Sequence, residues 1–138
     1  MHRIVIDTNV LVAALRSRRG AANKLLSLLG SGAYEAVISV PLILEYEDAL
    51  LRQLETLPYS VDEVREIIDY LCAACTPQAI YYLWRPLLRD PKDDMVLEVA
   101  VAARCDTIVT FNGRDFQGAE RFGLRILTPA EFLKEIHA

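Results

Sequence analysis

The sequence predicts an α/β sandwich built around a mainly parallel sheet. Short apolar runs rich in β-branched residues alternate with longer amphipathic segments, and these segments carry helix start and stop signals. Successive parallel strands need such crossover connections, and the connections are right-handed in nearly all proteins. A chain of 138 residues can bury one sizeable core, so we expect a single domain over residues 1–138.

The first half of the chain contains two predicted strands and three predicted helices. Residues 3–6 (RIVI) and 35–39 (EAVIS) are short apolar runs of the kind found in buried strands. Ser39 and Pro41 open a helix, because proline is tolerated in the first turn, where its missing N–H would have no partner. The helices predicted in this half span residues 8–18, 21–30 and 41–55.

Two capping boxes mark helices in the second half. Ser60 with Glu63 predicts a helix over residues 61–74, and Thr128 with Glu131 starts the final helix, with Pro129 in its first turn. The elements expected between them are a short strand at 78–83, a loop at 84–93 that contains two prolines, a buried helix at 94–104, and strands at 106–111 and 124–127.

The composition is that of an ordinary globular domain. Apolar residues make up 53 % of the chain and charged residues 25 %, and no run reaches the roughly 18 apolar residues that a transmembrane helix needs. The apolar run at the N-terminus is too short for a signal peptide, so we expect a cytoplasmic protein. A net charge of −4 argues against coating duplex DNA by charge alone, but not against a nucleic-acid enzyme whose acidic site holds cations.

The three cysteines predict neither a disulfide framework nor a metal site. Their odd number and the absence of a secretion signal argue against structural disulfides. Cys72 and Cys75 form a C-x-x-C late in a predicted helix, whereas a redox pair would open a helix and a zinc site would need a second pair of ligands. We therefore interpret this pair of cysteines as structural.

Five carboxylates fall where a parallel sheet would bring them to one edge. Asp7 directly follows the first strand, Asp93 and Asp94 stand at the start of the predicted helix 94–104, and Asp115 lies just past strand 106–111. Glu45 lies in the first turns of the helix that leaves strand 35–39. Ligands of parallel α/β sheets bind beyond the carboxyl ends of the strands, so these acids are candidates for a shared site.

Each acid also has a purely structural explanation. Asp7 could be the N-cap of the helix that begins at Thr8 or Asn9, and Asp93 or Asp94 could serve the next helix in the same way. Asp115 could be a turn residue. Glu45 could pair with Arg52 on the same helix. A shared site is favoured because independent caps have no reason to converge on one edge.

Converging carboxylates would need a cation. Two of them about 4 Å apart repel by about 4 kcal/mol at an effective dielectric constant of 20. Mg²⁺ and similar hard cations relieve this repulsion because they prefer oxygen ligands. His2 and His137 lie at the termini, and no Ser-His-Asp or Cys-His set is visible. Any hydrolysis would therefore use a water molecule activated by a metal.

Four blocks of sequence together resemble the PIN-domain nucleases, and among these the VapC-like toxins of toxin–antitoxin pairs. They occur in the order found in that family and span almost the whole chain. DTN after a strand is moderately specific alone, but its combination with the Glu-Tyr helix, DPKDD and T-x-N-x-x-D-F is strong. The blocks are IVIDTNVLVAAL (4–15), ISVPLILEYEDALLR (38–52), RDPKDDMVLEVAVAARCDTIVTFNGRDF (89–116) and ILTPAEFL (126–133).

The resemblance implies a three-layer α/β/α fold and metal-dependent cleavage of RNA in an acidic pocket. On the matching positions, Asp7, Glu45 and Asp94 correspond to three core acids that bind Mg²⁺ or Mn²⁺, and Asp115 corresponds to a fourth. Asp93 could assist or replace Asp94, which we prefer because the apolar helix pattern after it fits the family better. A cognate antitoxin and a homodimer or higher oligomer are also implied. Supporting polar residues are Asn9, Thr110 and Asn112.

Basic residues recur beside these motifs and are candidates for binding the phosphates of RNA. The alternative is that they form an ordinary solvated surface. The candidates are Arg16, Arg18, Arg19, Arg89, Lys92 and Arg114.

Two other classes of protein could present acids at strand ends. A receiver-like, Mg²⁺-binding signalling domain would need paired acids after its first strand and a lysine after its last, and this sequence has a single acid and LRILTPAE at those places. A non-catalytic α/β scaffold of the same fold would not need the full set of acids.

Overall fold

The computed structural model describes residues 1–80, 88 and 90–138. The strands of this part of the chain are β1 Arg3–Ile6, β2 Glu35–Ile38, β3 Thr76–Pro77, β4 Thr107–Val109 and β5 Arg125–Leu127. They form one sheet in the order β3-β2-β1-β4-β5, and every pairing in it is parallel. The predicted parallel sheet is confirmed, and β1 lies at its centre.

Helices cover both faces of this sheet. In β1 and β4 every residue from Ile4 to Ile6 and from Thr107 to Val109 is buried. Because successive side chains of a strand point to opposite faces, this continuous burial means that both faces are covered, as in an α/β/α sandwich. The α-helices of the described residues are α1 Thr8–Arg16, α2 Ala21–Ser27, α3 Val40–Arg52, α4 Val61–Ala74, α5 Pro91–Ala102 and α6 Pro129–Glu135.

The predicted capping boxes are present at α4 and α6. The Ser60 hydroxyl accepts a hydrogen bond from Glu63 N at 3.2 Å, and the Glu63 carboxylate accepts one from Ser60 N at 2.9 Å. Thr128 and Glu131 make the same reciprocal pair. These local interactions need no tertiary contact, which is why the sequence predicts the bounds of α4 correctly.

The start of α5 differs from the prediction. The helix begins at Pro91, three residues before the predicted start, and Asp90 is its N-cap. The Asp90 carboxylate accepts a hydrogen bond from Lys92 N at 2.9 Å. Pro91 therefore opens the helix and does not interrupt a loop, because the first helical position needs no N–H. The predicted loop over residues 84–93 is wrong at its C-terminal end, and residues 84–87 and 89 lie outside the described part.

The third strand also differs from the prediction, which put it at residues 78–83. β3 is only Thr76–Pro77, paired with Val37 and Ile38 of β2. Residues 78–80 are not part of a strand, and residues 81–83 lie outside the described residues. Edge strands are short in many proteins, and a two-residue strand that ends in proline has no periodicity to detect.

The core is continuous, and two cysteines belong to it. All three cysteines are free; Cys72 is exposed, whereas Cys75 and Cys105 are buried in the apolar core. Burial raises the pKa of both buried thiols to about 12, so they stay protonated and unreactive at neutral pH. None of the helices that the structure describes has the length and apolar character needed to span a membrane.

Candidate active site

Asp7 lies at the carboxyl edge of the sheet, where β1 and β4 end together. Its backbone N donates to Val109 O at 2.9 Å, which fixes it beside the end of β4. One carboxylate oxygen, Oδ1, accepts from Thr8 N at 2.8 Å, and the other, Oδ2, accepts from the Thr110 hydroxyl at 2.7 Å and from Asn9 Nδ2 at 3.3 Å. Asp7 is also the N-cap of α1. The two explanations considered for Asp7 are therefore compatible, because a capping carboxylate can lie at a site.

A pocket of about 380 Å³ opens at this edge of the sheet. Four parts of the chain form its walls: one face of α1 along its whole length, the C-terminal half of α3, the start of α5 and the segment after β4. The polar lining residues are Asp7, Thr8, Asn9, Arg16, Glu45, Arg52, Gln53, Asp90, Lys92, Asp93, Asn112 and Asp115. Of the predicted acids, four therefore meet in one pocket: Asp7, Glu45, Asp93 and Asp115.

Asp94 is not in the pocket lining. Its side chain is buried, and its carboxylate Oδ1 accepts a hydrogen bond from Leu88 N at 2.9 Å. Asp93, one position earlier in the first turn of α5, takes the place in the pocket wall. Consecutive helical residues project about 100° apart, so two neighbouring aspartates cannot serve the same pocket equally.

The aspartates of the pocket repel one another. The pKa of Asp93 is raised to about 7, first by burial and then by the negative charges of Asp7, Asp90, Asp115 and Asp94. Burial also raises the pKa of Asp7, against the effect of the hydrogen bonds from Thr110 and Thr8, which lower it. One side of the pocket thus carries several carboxylates that stabilise a positive charge and destabilise each other.

Glu45 belongs to a different electrostatic environment. Its Oε1 lies 3.4 Å from Arg52 Nη2 and 3.6 Å from Lys92 Nζ, and only 11 % of its side chain is exposed. Arg52 also contacts Asp48 at 3.1 Å. The predicted pairing of Glu45 with Arg52 is therefore present, and Lys92 adds a second cation from α5. Both cations line the pocket, so its walls carry basic as well as acidic side chains.

Two positioning residues were not recognised in the sequence. Asp90 lines the pocket and caps α5, and the signal for it was the Asp-Pro pair at a helix start. Tyr46 donates its buried hydroxyl to Ile6 O, the last carbonyl of β1. This bond ties α3 to the strand end that carries Asp7. Tyr46 belongs to the Glu-Tyr pattern of the resemblance, but its place in the sequence does not indicate this bond.

The predicted basic residues divide into three groups. Arg16 and Lys92 line the pocket; Arg16 donates to the Gln53 side chain and, at 3.3 Å, to the Thr56 hydroxyl. Arg18, Arg19 and Arg114 are exposed and do not line the pocket. Arg89 lies outside the described residues.

The donor set of the pocket suits a hard divalent cation. Its acidic side offers only carboxylate and amide oxygens, and these are the ligands that Mg²⁺ and Mn²⁺ prefer. Burial raises the pKa of Asp93 most, and the neighbouring aspartates raise it as well; a bound cation would relieve this repulsion between the acids. Among residues 1–80, 88 and 90–138, no three histidine, cysteine or carboxylate side chains are already close enough to hold a metal ion.

The protein without bound metal is expected to lose stability as the pH rises from about 5.5 to 8. The pKa of Asp93 is about 7 in the folded protein, against an ordinary value of 3.8. In this pH range the folded state binds more protons than the unfolded state. The free energy of unfolding therefore falls as the pH rises through 7. The melting temperature measured in EDTA should fall by a few degrees, on the order expected for about 1 kcal/mol.

Asp93→Asn provides the control for this pH dependence. The variant has no group that titrates near pH 7 at that position, so its melting temperature should vary less over the same range. Asp106 does not interfere: its pKa is lowered, mainly by the hydrogen bond from Arg3 N, so its contribution is lost only as the pH falls below its ordinary value of 3.8. An equal pH slope in both proteins would contradict the repulsion inferred for Asp93.

Comparison with known proteins identifies the class to which this fold and pocket belong. A family model of the PIN domain matches residues 3–114, which is most of the chain. The chain therefore belongs to the PIN-domain family, whose members are nucleases that generally use divalent metals.

Solved structures with the same fold include two of VapBC complexes. One is the crystal structure of VapBC2 from Rickettsia felis bound to a DNA fragment from its promoter, with a TM-score of 0.61 and 15 % identity over 91 % of this chain and 98 % of the matched chain. The other is VapBC-1 from nontypeable Haemophilus influenzae, with a TM-score of 0.63 and 15 % identity over 93 % of this chain and 98 % of the matched chain. No curated protein matches the sequence significantly.

Proposed function

We propose that this protein is a metal-dependent endoribonuclease and the toxin of a toxin–antitoxin pair. The observation that carries the proposal is the meeting of Asp7, Asp93, Asp115 and Glu45 in one pocket at the carboxyl edge of the sheet. Membership of the PIN-domain family supports nuclease chemistry, and the metal dependence and the choice of RNA are the parts proposed here.

The residues that would hold Mg²⁺ or Mn²⁺ are Asp7, Asp93 and Asp115, with Glu45 joining them directly or through water. We propose Asp93 in the place first expected for Asp94, because Asp94 is engaged with Leu88 N outside the pocket. When bound, the metal would lower the pKa of a water molecule and neutralise charge on the scissile phosphate. Asp115 lies where it could position a second cation or the attacking water.

Other residues of the pocket would orient Asp7 and bind the phosphate. Asp7 is held in one orientation by Thr8, Asn9 and Thr110, so its carboxylate needs little reorganisation when a cation arrives. Arg52 and Lys92, which now share Glu45, would be released toward a phosphate once Glu45 turns to the metal. These two cations would then counter the repulsion between the phosphates of RNA and the aspartates.

A toxin of this kind would bind a cognate antitoxin protein. The two VapBC structures cover more than nine-tenths of this chain, which supports a cognate antitoxin for this protein as well. A short open reading frame directly beside this gene in the genome would support such an antitoxin. We also propose a homodimer or higher oligomer, which analytical ultracentrifugation would test.

Purified protein is expected to cleave RNA with Mg²⁺ or Mn²⁺ and to lose this activity in EDTA. The expectation follows from the lack of a histidine, serine or cysteine nucleophile in the described pocket, which leaves a metal-activated water as the attacking group. A panel of labelled single-stranded, duplex and structured RNAs, with DNA of the same sequences, measures the substrate preference. Cleavage that persists unchanged in EDTA would contradict the mechanism, and exclusive cleavage of DNA would contradict the substrate.

A further inference from the structure

The pocket continues beyond the acids as a groove between α1 and α3. Its lining residues on α1 run from Thr8 to Arg16, and those on α3 run from Glu45 to Gln53. Thr8 and Arg16 are the first and last residues of α1, so about 12 Å of helix separates them. Asp7 directly precedes Thr8 at the other end of this helix. A substrate whose phosphate binds at Asp7 therefore has room to extend along the groove toward Arg16.

Arg16 is held at the far end of this groove by two uncharged partners. Its Nη2 donates to the side-chain oxygen of Gln53 and, at 3.3 Å, to the Thr56 hydroxyl. That hydroxyl donates in turn to Gln53 O at 3.0 Å, so the turn at the end of α3 presents both acceptors. Both bonds start from Nη2, and within the part of the chain that the structure describes Nε and Nη1 have no acceptor. The guanidinium is thus oriented while most of its donors stay available.

The charge of Arg16 is not matched by a neighbouring acid. Arg52 and Lys92, which also line the pocket, lie 3.4 and 3.6 Å from the Glu45 carboxylate. Among the described residues, no carboxylate forms an ion pair with Arg16. The negative end of the α1 dipole stabilises an arginine in the last turn, but this effect does not require the side chain to point in one direction. The dipole therefore explains the positive charge and leaves the two hydrogen bonds of the side chain unexplained.

The stretch of groove that leads to Arg16 is apolar. Val12 and Ala13 line it from α1, and Ala49 lines it from α3. These side chains offer no ligand to a metal ion and no hydrogen bond to a phosphate, and the two alanines are small. They leave room for the uncharged part of a nucleotide, which is its sugar and base. Charged and uncharged surface therefore alternate along the groove, as phosphates and uncharged groups alternate along a nucleic-acid strand.

From these contacts we infer that Arg16 binds a second phosphate of the RNA strand, one other than the phosphate that is cleaved. The inference rests on the proposed nuclease function, because the cleaved phosphate at the acids fixes where the rest of the strand lies. Arginine is suited to this contact, since its planar guanidinium can donate two parallel hydrogen bonds to a phosphate. Gln53 and Thr56 are positioning residues that hold the guanidinium at the groove.

Binding of RNAs that differ in one backbone charge tests this contact. The RNAs share one sequence, and each carries a single uncharged methylphosphonate in place of one phosphate, next to a 2′-O-methyl sugar that keeps the linkage stable. The reference RNAs carry the same sugar beside an intact phosphate. Fluorescence anisotropy is recorded with Ca²⁺ in place of Mg²⁺, and a gel confirms that the RNA stays intact. The cleaved phosphate is mapped separately on unmodified RNA in Mg²⁺ or Mn²⁺.

The wild type should lose about ten-fold in affinity when the phosphate at Arg16 is neutralised, because a charge-assisted hydrogen bond is lost. Arg16→Gln should weaken binding of the reference RNA by a similar factor. In this variant the same methylphosphonate should cost no more than about two-fold, because the contact that it removes is already gone. This loss of sensitivity should occur at one position of the strand, and that position should differ from the cleaved phosphate.

Two further variants separate this contact from overall charge. Arg16→Lys should keep sensitivity to the same methylphosphonate, because an ammonium group also binds phosphate as a point charge. Arg65→Gln removes the same charge from an exposed position of α4 that does not line the pocket. It should bind the reference RNA within about two-fold of the wild type and show the wild-type sensitivity at every position, because salt screens distant surface charges.

A methylphosphonate profile in Arg16→Gln that matches the wild type would overturn the inference, because Arg16 would then act only through overall charge or stability. A wild-type profile in which only the cleaved phosphate matters would overturn it as well. The failure of the proposed function has a different signature. Recognition of one phosphate that needs Arg16, without any cleavage in Mg²⁺ or Mn²⁺, would refute the nuclease and keep the phosphate site. Cleavage by Arg16→Gln at the wild-type rate and with the wild-type profile would refute the phosphate site and keep the nuclease.

Discussion

Asp7→Asn is expected to lower kcat/KM for RNA cleavage by about a thousand-fold. Asp7 is the acid held most firmly in the pocket, and its loss removes one negative ligand from the proposed metal site. Metal ions contribute several kcal/mol to stabilising the transition state, and each 1.36 kcal/mol corresponds to a factor of about ten in rate. Initial rates on one labelled RNA, measured at saturating Mg²⁺ and again at limiting Mg²⁺, give the loss.

The fold of this variant should survive, so that the loss can be assigned to the site. Asparagine caps helices about as well as aspartate, and the substitution also removes a buried charge whose pKa is raised by burial. The melting temperature in EDTA should therefore stay the same or rise. Added Mg²⁺ should raise the melting temperature of the wild type more than that of the variant, because binding to the folded state stabilises it by mass action.

Asp106→Asn is a suitable control for this substitution. Asp106 also accepts from a backbone N–H and a threonine hydroxyl, at 2.8 Å from Arg3 N and 2.7 Å from Thr107, but it lies before β4, at the opposite edge of the sheet. Its substitution should leave kcat/KM and the Mg²⁺ shift of the melting temperature unchanged. Equal activity of Asp7→Asn and the wild type would refute the assignment of Asp7.

Asp93→Asn and Asp94→Asn should have very different effects on activity. Asp93 lines the pocket among other aspartates, so its substitution should reduce kcat/KM by about a hundred-fold or more. Within the described residues Asp94 accepts a hydrogen bond from Leu88 N, and an asparagine oxygen can accept the same bond. Asp94→Asn should therefore keep activity within a few-fold of the wild type. Both rates are measured with the same RNA and Mg²⁺ concentration.

Asp94→Ala extends this test to stability. The alanine removes the acceptor for the part-buried Leu88 N–H, and the loss of such a hydrogen bond costs about 1 kcal/mol. Asp94→Ala should thus lower the melting temperature clearly, while the folded fraction keeps its activity. The reverse result, with Asp94→Asn inactive and Asp93→Asn active, would show that Asp94 is the metal ligand and that the pocket rearranges when it binds.

Much of the fold follows from local features of the sequence. Asp7 and Thr128 begin helices because their side chains accept hydrogen bonds from the first turn, and the buried strands β1 and β4 follow from their β-branched residues. Periodicity fails where elements are very short, as at β3, and where a proline can either open a helix or interrupt a loop, as at Pro91.

The sequence alone predicts that acids follow parallel strands and lie at one edge of the sheet, because the carboxyl ends of parallel strands lie on the same side. Which of these acids share the pocket depends on how the helices pack. Asp93 and Asp94 are adjacent and chemically identical, and the angle at which α5 packs against the sheet decides which of them faces the site. The same holds for Lys92, which reaches Glu45 across two helices, and for Arg16, whose partners lie at and beyond the end of α3. Such relations join residues far apart in the chain, so no local pattern encodes them.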